Sequence, residues 1–207
     1  MREWETQFAP LWSETLRKRR RGRIGPSWYV DETLIKVKGR WTYLYRAIDR
    51  EGNLVDVLLS EKRDNAAAED SFRSARLVTG RVPERVTTDG HNAYPGAITA
   101  ELGEAARHRT NRDVNNHVEQ DHQGIKQRTR PMGGFKSVES AKHFCRVHDE
   151  VRNFLRPRSQ RNERVSLAQR RILYTARTRV LLTALAAAYT GISTRRQQLP
   201  TPCWGMF

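Results

Sequence analysis

Ser27-Trp28-Tyr29-Val30-Asp31-Glu32-Thr33-Leu34-Ile35-Lys36-Val37 is the stretch that decides how this chain folds. Aromatic and β-branched residues fill it, as in a strand with one face against a core. The strand runs to Lys38, and Gly39 makes a turn. Arg40-Trp41-Thr42-Tyr43-Leu44-Tyr45-Arg46-Ala47-Ile48-Asp49 repeats the pattern as a second strand. Arg50-Glu51-Gly52-Asn53 is a hairpin turn, and Leu54–Ser60 is a third strand. Three strands joined by connections this short form an antiparallel meander. An acid, Asp31, sits inside the first of them.

After residue 60 the texture changes. Asn65–Thr79 is helical and is broken by Gly80 and Pro83. Val86–Asp89 is a short strand, Tyr94–Leu102 a short helix begun by Pro95, and His108–Arg112 a weak strand. Asn115–Arg128 is a polar helix carrying Glu119, and a loop to Lys136 leads into the helix Val138–Leu155, which Pro157 stops. One more helix is expected over about 165–190. The order β-β-β-α-β-α-β-α predicts an α/β fold with a mixed five-stranded sheet, the meander plus parallel strands, flanked by helices. It is the order of the ribonuclease H-like fold. The first and fourth strands then lie side by side, which brings Asp31 to Asp89, and the next major helix supplies Glu119.

The chain has 207 residues, with 38 Lys and Arg against 23 Asp and Glu, a formal charge of +15. The isoelectric point is about 10.7 and the mean hydropathy −0.78. Such a field selects a polyanionic partner, nucleic acid first and an anionic membrane surface second. The arginine run Arg17-Lys18-Arg19-Arg20-Arg21-Gly22-Arg23 is an exposed arm suited to DNA phosphates. Cys145 and Cys203 fit no zinc spacing, and no signal sequence opens the chain, so a reducing cytosolic setting is expected. The longest apolar run, Val180–Tyr189, falls short of the about 20 residues a bilayer requires and reads as a buried or partner-packed helix. The expected organisation is a basic N-terminal segment over 1–25, a catalytic domain over 26–156 and a basic tail over 157–207.

Three carboxylates gathered in a basic protein suit Mg²⁺ or Mn²⁺, two ions in all, acting on phosphodiesters. Alone, each acid has a plain reading: Asp31 as a surface residue of a strand, Asp89-Gly90 as a turn, Glu119 as a solvated helix residue. Glu32, Asp49, Asp56, Asp113 and Asp121 read as solvated or structural. His122 orders a carboxylate, touches DNA or is a plain surface histidine. Trp41, Tyr43 and Tyr45 read as core. No Ser/His/Asp triad, reactive cysteine or nucleotide cofactor is called for.

Trp28-Tyr29-Val30-Asp31-Glu32-Thr33, Val37–Asp49, Thr88-Asp89, Asn115–His122, Lys126 and Gly134-Phe135-Lys136-Ser137 together resemble the DDE catalytic domain of IS6-family insertion-sequence transposases. The resemblance covers about residues 1–155. It implies Asp31, Asp89 and Glu119 as catalytic metal ligands and Lys126 as a phosphate contact near the cleaved end. Arg128 and Arg130 then track the DNA backbone, as do Arg19, Arg20 and Arg21. It implies hydrolysis that frees a DNA 3′-hydroxyl, followed by attack of that hydroxyl on a target phosphodiester, in a homo-oligomer on DNA. The chain departs from the family in two ways. It begins where the N-terminal helix-turn-helix should end, which suggests a truncated copy, and the interval from Asp89 to Glu119 is shorter than usual. A DNA-binding remnant without catalysis, and a ribonuclease H or junction nuclease, are the rival readings.

Overall fold

The computed structural model describes Leu16 and residues 24–111, 116–155 and 165–197. Arg19, Arg20 and Arg21, Asp113 and Cys203 lie outside the described residues. The meander is β1 (Ser27–Val37), β2 (Arg40–Asp49) and β3 (Leu54–Ser60), followed by α1 (Asn65–Thr79), β4 (Arg85–Thr88), α2 (Ala93–Leu102) and β5 (Arg107–Thr110). Then come α3 (Asn116–Thr129), α4 (Val138–Leu155) and α5 (Leu167–Gln197). The sheet order is β3-β2-β1-β4-β5, with β1 antiparallel to β2 and parallel to β4. This is the mixed, ribonuclease H-like sheet that the element order predicts.

Lys38 and Gly39, both at positive φ, close the β1–β2 hairpin, the backbone form that matches the twist of two antiparallel strands. On one sheet face Trp28, Val30, Tyr45 and Ala47 pack beneath α1 and α2, against Phe72, Ala75 and Tyr94. On the other, Ile35, Val37 and Leu44 pack beneath α3 and α4, against Ile125, Ala141 and Cys145. Helix α1 starts where Asp64 accepts a hydrogen bond from the Ala67 amide at 2.9 Å, and it ends at Gly80 in the left-handed region.

A buried charge cluster fixes α3 and α4 to the sheet. Arg46 of β2, only 1% exposed, donates to Asp149 of α4 at 3.0 Å and to Asp121 of α3. Arg152 of α4 also pairs with Asp121. Its guanidinium crosses α3 at Gly124, where a Cβ would lie 2.8 Å from the guanidinium carbon. Asp121 is therefore structural. His122 is also buried, and burial first, then the Arg46 and Lys126 charges, pushes its imidazole down to about 3. It is a neutral interior group, neither a surface histidine nor a DNA contact.

The apolar stretch of α5 is only partly covered by the rest of the chain. Leu181 is buried, but Val180 and Leu182 are exposed, because α5 meets the body through α4 at points such as Arg177 donating to the Phe154 carbonyl. No described helix is long and apolar enough to cross a membrane.

Candidate active site

The geometry of the site follows from unequal strand lengths. β2 covers one side of β1 from Trp28 to Val37. On the other side β4 pairs only with Ser27, Trp28 and Tyr29, and the next contact is an isolated parallel bridge between Val37 and Phe135. Among the described residues no strand covers that side of β1 in between. The gap opens into a cavity of about 720 Å³, lined by Asp31, Glu32, Leu34, Arg63, Asp89 and Glu119 among others. The structure thus brings Asp31, Asp89 and Glu119 to one place from β1, the end of β4 and the first turn of α3.

The tightest set within the cavity is not the predicted one. Carboxylate oxygens of Asp31, Glu32 and Asp89 lie within 4.8 Å of one another, and Glu119 lines the same cavity outside that set. Of the two roles expected for Glu32, solvated or structural, the second fits: it lines the cavity and is held there by side-chain partners. Both of its oxygens are engaged: Oε1 by the Arg63 guanidinium and Oε2 by the Tyr94 hydroxyl, which donates to it. Burial and the Glu32 carboxylate hold the Tyr94 phenol far above its ordinary range, so it remains a donor. Arg63 also donates to Asp89 Oδ2 at 3.2 Å. Its position is set by the start of α1, one residue before the Asp64 cap. Arg63 and Tyr94 were missed because nothing in their local sequence marks them; only the fold carries them to β1.

Asp31 is half-buried, and its carboxylate accepts from the Glu32 amide at 2.9 Å. Burial first, then the Glu32 carboxylate, with Asp89 and Glu119 adding to it, raises its carboxyl to about 7. As pH rises above the ordinary carboxylate value the unfolded chain ionises Asp31 while the folded chain does not, so stability falls until about pH 7 and then levels. Asp31→Asn removes that loss. The variant is expected to melt higher than the parent in metal-free buffer at pH 7, with the gain vanishing below about pH 4. Calorimetry across that range checks it.

Asp89 is held by its own turn, its Oδ1 accepting from the His91 amide at 2.9 Å. Gly90 has φ +90°, and a Cβ there would lie 2.5 Å from the Thr110 methyl of β5. Asp89-Gly90 is therefore a turn and a site element at once. Gly90→Ala is expected to cost roughly 1–2 kcal/mol and to displace Asp89. Chemical denaturation and a strand-cleavage assay read the two effects.

The donors are all hard carboxylate oxygens, and Arg63 neutralises only part of their charge. Such a set fits a divalent cation. Arg63 and Tyr94 engage both Glu32 oxygens, and Arg63 and the His91 amide each engage one Asp89 oxygen, so Asp31, Asp89 and Glu119 could hold a cation only if Asp89 shares its oxygens with these donors. Lys126 is half-buried further along α3, and Arg128 and Arg130 are exposed at its end. Cys145 is buried and its thiol pushed up to about 12, mainly by burial, which leaves no reactive nucleophile there.

The DDE domain family matches residues 25–158. Over 146 residues the chain is 36% identical to the transposase for insertion sequence-like element IS431mec of Staphylococcus aureus, covering 68% of this chain and 62% of that protein. The same figures hold for the transposase of insertion sequence element IS257 in transposon Tn4003 of Staphylococcus aureus. The chain thus spans about three fifths of the length of these relatives. Among solved structures, the HTLV-2 integrase catalytic core domain in complex with magnesium (dimeric form) aligns at 17% identity and a TM-score of 0.48, covering 69% of this chain and 95% of that one. With the family match running through the whole sheet and every carboxylate of the cavity, the chain belongs to the DDE domain family of IS6-type insertion-sequence transposases.

Proposed function

We propose that residues 26–156 form a polynucleotidyl transferase domain that cuts and rejoins DNA strands during transposition. The observation that carries this is the convergence of Asp31, Asp89 and Glu119 on one cavity at an open sheet edge of a strongly basic protein. Magnesium or manganese held by these three would supply activation of the attacking oxygen and charge stabilisation on the phosphodiester. The chain's own residues do the rest. By holding such a cation, Asp31 and Asp89 would set the reacting phosphate's place at the end of β4. Arg63, held by Glu32 and Asp89, sets a positive charge beside it. Lys126, Arg128 and Arg130 hold the DNA backbone along α3, and Arg19, Arg20 and Arg21 add phosphate contacts. DNA ends and target DNA are the substrates, and the working form is a homo-oligomer on DNA in the bacterial cytoplasm.

The test is a strand-transfer assay with pre-cut ends and Mg²⁺ or Mn²⁺. Joined product is the expected result. DNA binding with neither cutting nor joining would make the chain a non-catalytic remnant. Cutting of RNA–DNA hybrids or branched DNA without joining would place it among nucleases of the same fold.

A further inference from the structure

The β1–β2 hairpin does not end with the sheet's core. In its antiparallel register Glu32 faces Tyr45, Leu34 faces Tyr43 and Lys36 faces Trp41, so these three pairs share one sheet face. Along that strip the cover runs out. Tyr45 is buried, Tyr43 half-buried, Leu34 43% exposed and Trp41 65% exposed. Leu34 and Tyr43 line the acidic cavity, so the bare strip is continuous with it. Trp41 is therefore no core residue, although a strand of this composition suggests one; α1 and α2 stop short of it.

The tip is also built into a larger basic surface. The loop after α3 runs back to β1, where the Phe135 amide donates to the Lys36 carbonyl at 2.8 Å and the Lys38 amide donates to the Phe135 carbonyl at 2.7 Å. Gly134 permits this approach: it has φ +102°, and a Cβ on it would lie 2.8 Å from the Lys36 carbonyl oxygen. The joint at Phe135 brings its exposed neighbour Lys136 to the hairpin that carries exposed Lys36, Lys38 and Arg40. Lys36 shares the sheet face of the exposed Trp41 indole, whereas Arg40 points to the opposite face, and none of these cations forms a described ion pair.

We infer that the hairpin tip and the loop after α3 form a composite docking surface for the DNA duplex that flanks the reacting phosphodiester. The cations take successive phosphates, and Trp41 lies against the sugar faces between them. From Glu32 to Lys36 a strand advances about 13 Å, which puts the contacts about four base pairs from the cavity. Charge decides for DNA over a second copy of this strongly cationic chain, since two such surfaces repel. The inference rests on the proposed DNA chemistry of the cavity but names a surface outside it.

The experiment is fluorescence-anisotropy binding of the full chain to a 30-base-pair duplex probe, in Ca²⁺ and at several salt concentrations. Lys38→Ala/Arg40→Ala should weaken binding at least tenfold and flatten the log–log salt dependence by about 1.8, the value for two phosphate contacts. Trp41→Ala should weaken binding several-fold with the salt slope unchanged. Unaltered melting of the variants, all at exposed positions, separates these effects from misfolding. Equal binding by the variants and the parent overturns the inference while leaving the cavity's proposed chemistry intact. A change of oligomeric state in place of a change in DNA binding, read by sedimentation, assigns the surface to a second copy and also overturns it. No binding by the parent removes both this inference and the proposed function.

Discussion

Asp89→Asn is expected to reduce strand cleavage and joining by roughly a thousandfold or more. The size follows from what the carboxylate does in the cavity. Asp89 closes β4 beside Asp31, and it shares its Oδ2 with the Arg63 guanidinium. An amide keeps the shape and the hydrogen bond from the His91 amide but supplies no negative charge to a divalent cation. Arg63 then loses one of its two carboxylate partners and keeps Glu32, so the fold stays whole. Single-turnover cleavage of a labelled duplex gives the ratio. A loss smaller than tenfold would remove Asp89 from the chemistry.

Arg46→Met is the largest expected effect on stability. Arg46 is the shared partner of Asp121 and Asp149, and all three are buried. Its removal leaves two buried carboxylates, with Arg152 beside Asp121 and the His148 ring beside Asp149. Breaking a buried pair from one side costs about 3–5 kcal/mol. For a chain of this size that lowers Tm by roughly 10 °C. Cleavage should fall as well, because Asp121 is on the same first turns of α3 as Glu119 and the cluster is what docks that helix. Replacing Asp121 and Asp149 by Leu alongside Arg46→Met should restore most of the stability, since an apolar cluster of similar volume does not need the charges. A loss below 1 kcal/mol for Arg46→Met alone would show that the cluster does not hold α3.

Much of this arrangement is legible in the residues. The meander is readable because β-branched and aromatic residues alternate through Ser27–Ile48 and the connecting turns carry Gly39 and Gly52. The juxtaposition of Asp31 with Asp89 follows from topology: a β1 parallel to β4 leaves both acids at the same sheet edge. What stays hidden depends on contacts between distant segments. Glu32 points to the opposite sheet face from Asp31, the usual sign of a solvated acid, and only the open edge lets both reach one cavity. Arg46 sits in a strand of otherwise ordinary pattern, and its partners lie on α3 and α4. Trp41 carries the composition of a core position, but core membership is decided by where α1 and α2 end. His122 looks like a surface residue of a polar helix and is buried because α3 is pulled inward by Asp121.

Anomalous scattering from crystals of the chain soaked in millimolar Mn²⁺ tests the central claim most directly. A manganese peak bonded at about 2.1–2.2 Å to oxygens of both Asp31 and Asp89, with Glu32 still held by Arg63 and Tyr94, is the expected result. A cavity with no manganese, or an ion bound through Glu32 with Asp31 turned away, would contradict it.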